Sequence, residues 1–104
     1  RPLGLVAVNP VCPHCRLRYR QLAAALAARA DAPALGVLVV DTPRRPDTLS
    51  LGAAAPGGVW WDSAQVWRAR WRRGLYGELL VFDPHGTLVA AHGPGWNPAA
   101  PAKD

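Results

Sequence analysis

Leu3-Gly4-Leu5-Val6-Ala7-Val8-Asn9-Pro10-Val11-Cys12-Pro13-His14-Cys15-Arg16 decides how this chain folds. The stretch from Leu3 to Val8 is a continuous apolar run, the pattern of a strand buried on both faces, and Asn9-Pro10 ends it. From Pro13 the pattern turns helical: Tyr19, Leu22, Ala23, Leu26 and Ala30 fall on one face, with Arg16, Arg18, Arg20 and Gln21 elsewhere on the surface. Pro13 suits a first helical turn, where its missing N–H costs nothing. Asp31 to Pro33 ends this helix, and Leu35 to Val40 reads as a second buried strand closing at Asp41. Strand, helix and strand in this order predict a right-handed βαβ unit.

Downstream, Thr42 to Gly58 is rich in proline, alanine and glycine and reads as loop, with at best a short helical turn near Thr48 to Ala55. Val59 to Trp61 is expected as a short strand. Asp62 or Ser63 then caps a helix running to about Arg73, with Val66, Trp67, Arg70 and Trp71 on neighbouring turns and Arg68, Arg72 and Arg73 exposed. Glu78 to Phe82, the turn Asp83-Pro84-His85-Gly86, and Thr87 to Ala91 together predict a β-hairpin. The tail from Gly93 has no periodicity. Trp67 and Trp71 are expected in the core; Trp60, Trp61 and Trp96 either pack or line a groove beside the cysteines.

Composition narrows the function classes. At 104 residues, half of them apolar, one domain with one core is expected, and a charged fraction of 18% argues against a chain held open by self-repulsion. No apolar stretch approaches the roughly 20 residues that span a bilayer. The chain has no methionine, so Arg1 is expected to be a processing point or an expression boundary, with any secretory signal already removed. The net charge is +5, with 11 arginines against four aspartates in residues 1–77. These arginines are scattered and have no glycine-rich loop or base-stacking motif beside them, which argues against a nucleic-acid binder. A basic surface that favours acidic partners is the better reading.

The chemistry lies in Cys12-Pro13-His14-Cys15. Two cysteines cannot make the disulfide scaffold of a small secreted protein, so they are read as one local pair. At a helix N-terminus, unpaired N–H groups and the macrodipole favour a thiolate, and Cys12 is expected to have a pKa in the roughly 3.5 to 7.5 range of such sites. One turn later Cys15 lies on the same side and can close a disulfide. Cys12 is then the exposed attacking thiol and Cys15 the covered resolving one, with His14 either stabilising the thiolate or standing as a plain surface residue. Three alternatives compete. A zinc site would need His85 and His92 as further ligands; a c-type haem attachment requires histidine at position 16, which is arginine; and the pair can be purely structural. No metal and no cofactor is called for.

With these residues in view, the chain resembles the thioredoxin-fold thiol–disulfide oxidoreductases. Leu5 to Arg16 is similar to their strand-to-helix active-site segment, and the Pro13-His14 dipeptide to that of the DsbA-type oxidases. Trp61-Asp62, the helix to Arg73, Leu79 to Asp83, Pro84 to Val89 and Gly93 resemble the TlpA and redoxin branch. The resemblance implies an α/β protein with a minimal thioredoxin-like fold, a central mixed sheet flanked by helices, and no C-terminal helix. It implies disulfide exchange with cysteine-containing protein substrates and a redox partner protein, outside the cytoplasm, with Cys12, Cys15 and His14 as catalytic residues. The family's cis-proline falls on Gly77, so Tyr76, Gly77 and Pro13 are expected to face the substrate. Val11 replaces the usual aromatic residue before the first cysteine. The rival expectation is a non-catalytic binding module with a structural disulfide, docking an acidic partner on Arg68, Arg72 and Arg73.

Overall fold

Leu3–Val8 (β1) is the central strand in the computed structural model, which describes residues 1–46 and 55–98. On one side it pairs in parallel with Ala34–Val39 (β2), Val6 facing Val37; on the other it pairs antiparallel with Leu79–Phe82 (β4), Leu5 facing Leu80. Val59–Trp61 (β3) extends the sheet beyond β2 in parallel, and Leu88–His92 (β5) extends it beyond β4 as the returning arm of a hairpin. The order β3-β2-β1-β4-β5 makes a mixed five-stranded sheet, and the protein is α/β.

Alternation along the strands explains why both apolar runs are unbroken. Val6, Val8, Val37, Val39 and Leu79 face Tyr19, Leu22 and Leu26 of the helix Cys15–Ala27 (α1). Leu5, Ala7, Leu38, Val40, Leu80 and Phe82 project to the opposite face and gather around Trp67. After their first residues, β1 and β2 are thus buried on both faces, as the expected βαβ unit requires. Among the described residues no helix is long and apolar enough to cross a membrane.

The expected boundaries need correction in several places. The helix starts at Cys15 and not at Pro13, because Asn9–Cys12 and the two residues after it form a turn; it stops at Ala27, leaving Ala30 exposed. The second strand begins one residue earlier than its apolar run, and the hairpin arms are shifted one residue towards the C-terminus at their starts. The helix expected to reach Arg73 is a single wide turn, Val66–Arg70. Asp62 does cap it, accepting from the N–H of Val66 at 2.9 Å and of Trp67 at 3.0 Å. Gln65 before it (φ +54°) and Arg72 after it (φ +56°) are left-handed, which interrupts helical propagation at both ends. The turn expected near Thr48 to Ala55 lies, apart from Ala55, outside the described residues.

Two further features position the site. Glu78 is buried and ion-paired with Arg73 at 2.6 Å, so Arg73 is drawn off the surface expected for it. The tail after β5 has no regular element through Pro98, but it is fixed: Trp96 stacks on His92 at 3.9 Å, and its carbonyl accepts from Arg18 at 2.7 Å.

Candidate functional site

Asn9 shapes the approach to the cysteines. Buried at the end of β1, its Nδ2 donates to the carbonyl of Val40 at 2.7 Å and of Asp41 at 3.3 Å, joining the C-terminal ends of two parallel strands. Its Oδ1 accepts from Val11 N at 3.0 Å, and its carbonyl accepts from Cys12 N at 2.9 Å. The chain therefore leaves β1 in a hydrogen-bonded turn that delivers Cys12 to the mouth of α1. Val11, 85% exposed, stands on the outer side of that turn.

Cys12 and Cys15 are joined in a disulfide, their Cα atoms 5.5 Å apart. Cys15 is the first residue of α1 and belongs to the core beside Tyr19; Cys12 is half-buried and packs on the edge of the same cluster. His14 precedes the helix, accepting from Arg18 N at 2.9 Å through its carbonyl; its side chain is exposed and caps nothing. The pair is compatible with a redox couple or with a structural bridge.

A cavity of about 210 Å³ opens beside the disulfide. Cys12, His14 and Cys15 form one wall, Leu17, Arg18 and Gln21 continue it along α1, and Tyr76, Gly77 and Pro94 close the other side. Five of the six residues singled out from the sequence, Cys12, Cys15, His14, Tyr76 and Gly77, thus line one space. Pro13 is exposed and does not.

Gly77 is held against β1, its N–H donating to Ala7 O at 2.7 Å, while Ala7 N donates to Glu78 O at 2.9 Å. Its φ of +93° is open to glycine, and a Cβ there would stand 3.1 Å from Pro94 Cβ. No cis peptide bond occurs among the described residues. Tyr76 is fixed from behind. Its ring stacks on Trp67 at 6.0 Å, and its hydroxyl donates to Asp41 Oδ2 at 2.9 Å. Arg68 grips the same carboxylate with Nε at 3.1 Å and Nη2 at 2.5 Å. The Arg68 hydrogen bond is the main cause holding the Asp41 pKa below the ordinary carboxylate value; desolvation, and then the bond to Asp41, raise that of Tyr76.

Arg18 joins three segments. Its Nε donates to Gly77 O at 3.0 Å, Nη1 to Trp96 O at 2.7 Å and Nη2 to Gly93 O at 3.2 Å. Among the described residues no carboxylate pairs with it, and burial lowers its pKa.

Asn9, Asp41 and Arg18 were not singled out from the sequence. A usable signal existed for the first two: each is the first polar residue after an apolar strand, and the carboxyl ends of adjacent parallel strands are where α/β sheets gather their sites. Nothing in the sequence separated Arg18 from Arg16 and Arg20. The expected groove of tryptophans divides. Trp96 lines a second cavity adjoining that of the cysteines, whereas Trp60 and Trp61 line one on the far face of the sheet, with Trp71 and Phe82. Of the expected docking face, Arg68 is paired with Asp41, Arg73 with Glu78, and Arg72 remains exposed. His92 is stacked on Trp96 and burial lowers its pKa; among the described residues, no three histidine, cysteine or acidic side chains gather as a metal site. Compared with protein-family models, curated proteins and solved structures, the chain has no significant match.

Proposed function

We propose that this protein is a thiol–disulfide oxidoreductase with a minimal thioredoxin-like fold, exchanging disulfides with cysteine-containing proteins. The observation that carries the reading is the Cys12–Cys15 disulfide at the junction of β1 and α1, opening on a cavity whose far wall is the Tyr76–Gly77 loop. The sheet order supports it: a parallel β1–β2 pair followed by an antiparallel hairpin is what the resemblance implies.

In the reduced protein, Cys12 is the nucleophile. Cys12 is half-buried three residues before α1, its sulfur bonded in the disulfide form to that of the helix's first residue, Cys15, where unpaired N–H groups favour the thiolate. The Cys12 thiolate attacks one sulfur of a substrate disulfide; a mixed disulfide forms, and the other substrate sulfur leaves as a thiolate that takes up a proton. Cys15, buried and deprotonated in its turn, attacks the Cys12 sulfur. The substrate's second thiol is released, the substrate is reduced, and the Cys12–Cys15 disulfide is regenerated. Run backwards, the same steps oxidise a substrate dithiol. His14, exposed beside the pair, tunes the balance by stabilising the thiolate, and Tyr76 and Gly77 receive the substrate chain. A redox partner protein resets the couple. Because disulfides persist in oxidising compartments, we place the protein outside the cytoplasm.

The test is the rate of Cys12 alkylation against pH, with insulin reduction alongside. The expected midpoint lies well below the about 8.5 of an ordinary thiol, with insulin reduced in a Cys12-dependent manner. An ordinary midpoint and no turnover would leave the second reading, a binding module with a structural disulfide. That reading is favoured by Gly77 at the cis-proline place, whose carbonyl is already taken by Arg18.

A further inference from the structure

The cavity at the disulfide does not end at Arg18. A second cavity of about 680 Å³ continues along α1, bounded by the helix on one side and by the tail from Pro94 to Pro98 on the other. Arg18, Gln21 and Pro94 line both, so the two form one elongated groove with Cys12 at one end and Trp96 towards the other. Its walls follow α1 from Cys15 to Ala25, about 15 Å at 1.5 Å per helical residue, a run that suits an extended segment of chain better than a compact small molecule. Arg18 sits at the junction. Three of its five N–H groups hold carbonyls, leaving two without an acceptor among the described residues. Carbonyls do not neutralise a guanidinium, and among the described residues neither cavity is lined by an aspartate or glutamate. The acidic groups around the Tyr76–Gly77 wall are already engaged, Asp41 by Arg68 and Tyr76 and Glu78 by Arg73.

We infer that the groove between α1 and the Pro94–Pro98 segment binds an extended substrate peptide, and that Arg18 selects peptides carrying a carboxylate close to the reacting cysteine. The inference rests on the thiol–disulfide reading and names its substrate class. A fork of free N–H groups on a partly buried cation matches a carboxylate in both charge and geometry. The peptide disulfide is reduced by the two-step exchange given above, with the Cys12–Cys15 dithiol as its reductant.

The experiment uses the reduced protein and three otherwise identical peptides, each dimerised through one cysteine and flanked by Glu, Ser or Lys. The Glu peptide is expected to react about five- to tenfold faster than the Ser peptide, and the Lys peptide more slowly than either. The spread is expected to narrow in about 1 M sodium chloride, where the screening length is roughly 3 Å. Arg18→Gln is expected to bring the Glu-to-Ser ratio to one. Arg20→Gln removes the same charge from an exposed position that lines neither cavity, and is expected to keep the ratio.

Equal rates for all three peptides overturn the inference and leave the exchange chemistry standing. So does a ratio lost equally in Arg20→Gln, since net charge and not the groove would then be read. If oxidised glutathione reacts as fast as the Glu peptide, the anion is recognised without the groove, and the peptide assignment falls. No reaction with any disulfide removes both the inference and the function beneath it.

Discussion

Asn9 satisfies three neighbours with one buried side chain: the carbonyls of Val40 and Asp41 and the N–H of Val11. Asn9→Ala strips all three at once, leaving the buried Val40 carbonyl without this partner, and is expected to cost about 1–3 kcal/mol of stability by urea unfolding. The same change frees the turn that presents Cys12, so the pH midpoint of Cys12 alkylation should shift with it; an unchanged midpoint would show that the turn holds its shape without Asn9. Asp41 offers a pH-dependent companion. Its folded pKa is depressed by Arg68 and Tyr76, so its contribution is present above the ordinary carboxylate value of about 3.9 and is lost as pH falls through the lower folded value. Acid titration of the wild type should therefore release the Tyr76–Trp67 stack only below that range, read by tyrosine and tryptophan fluorescence. Asp41→Asn should remove this acid step, because its amide does not titrate. Both residues were in plain view as the polar ends of apolar runs. What the sequence left unread was that the two ends meet, since pairing across the sheet is non-local.

At the scale of elements, the two halves of the molecule were legible to different degrees. β1, β2 and α1 were readable because their apolar spacing is decided by burial on the sheet, which tolerates little else. The expected helix to Arg73 failed for a local reason. Trp67 and Trp71 stand at helical spacing, yet Trp67 packs under the sheet while Asp62 captures the N–H groups of both Val66 and Trp67. Packing of one large ring and the two-oxygen cap outweigh a weak helical propensity, and the chain reverses through left-handed Arg72. Asp62→Ala should then cost about 1–2 kcal/mol, with Asp62→Asn recovering part of it. Denaturant midpoints check the order. Because Tyr76 leans on Trp67, the Ala variant should also loosen the wall opposite Cys12; equal stability in all three proteins would show that the cap contributes nothing.

For the whole molecule, the decisive question is what the disulfide does for the fold. Its residues are three apart in sequence, so it closes a very small loop and constrains the unfolded chain by at most about 2 kcal/mol on the loop-entropy account. The core does not depend on it: α1 packs on β1 and β2 through Tyr19, Leu22 and Leu26, and the sheet is paired across all five strands. A structural bridge should therefore leave the oxidised protein the more stable form by about that amount. A redox couple tuned by the helix N-terminus and His14 narrows or reverses that difference. If the folded protein stabilises the Cys12 thiolate more than the unfolded chain does, the thermodynamic cycle requires the oxidised form's advantage to fall below the loop-entropy figure by the amount of that stabilisation. Paired urea curves, one in excess reductant and one without, measure the difference directly. A difference clearly smaller than about 2 kcal/mol at pH 7, or a reduced form that is the more stable, is the expected outcome. An oxidised form more stable by the full amount of about 2 kcal/mol would show that the fold does nothing to stabilise the reduced pair, as a structural bridge requires.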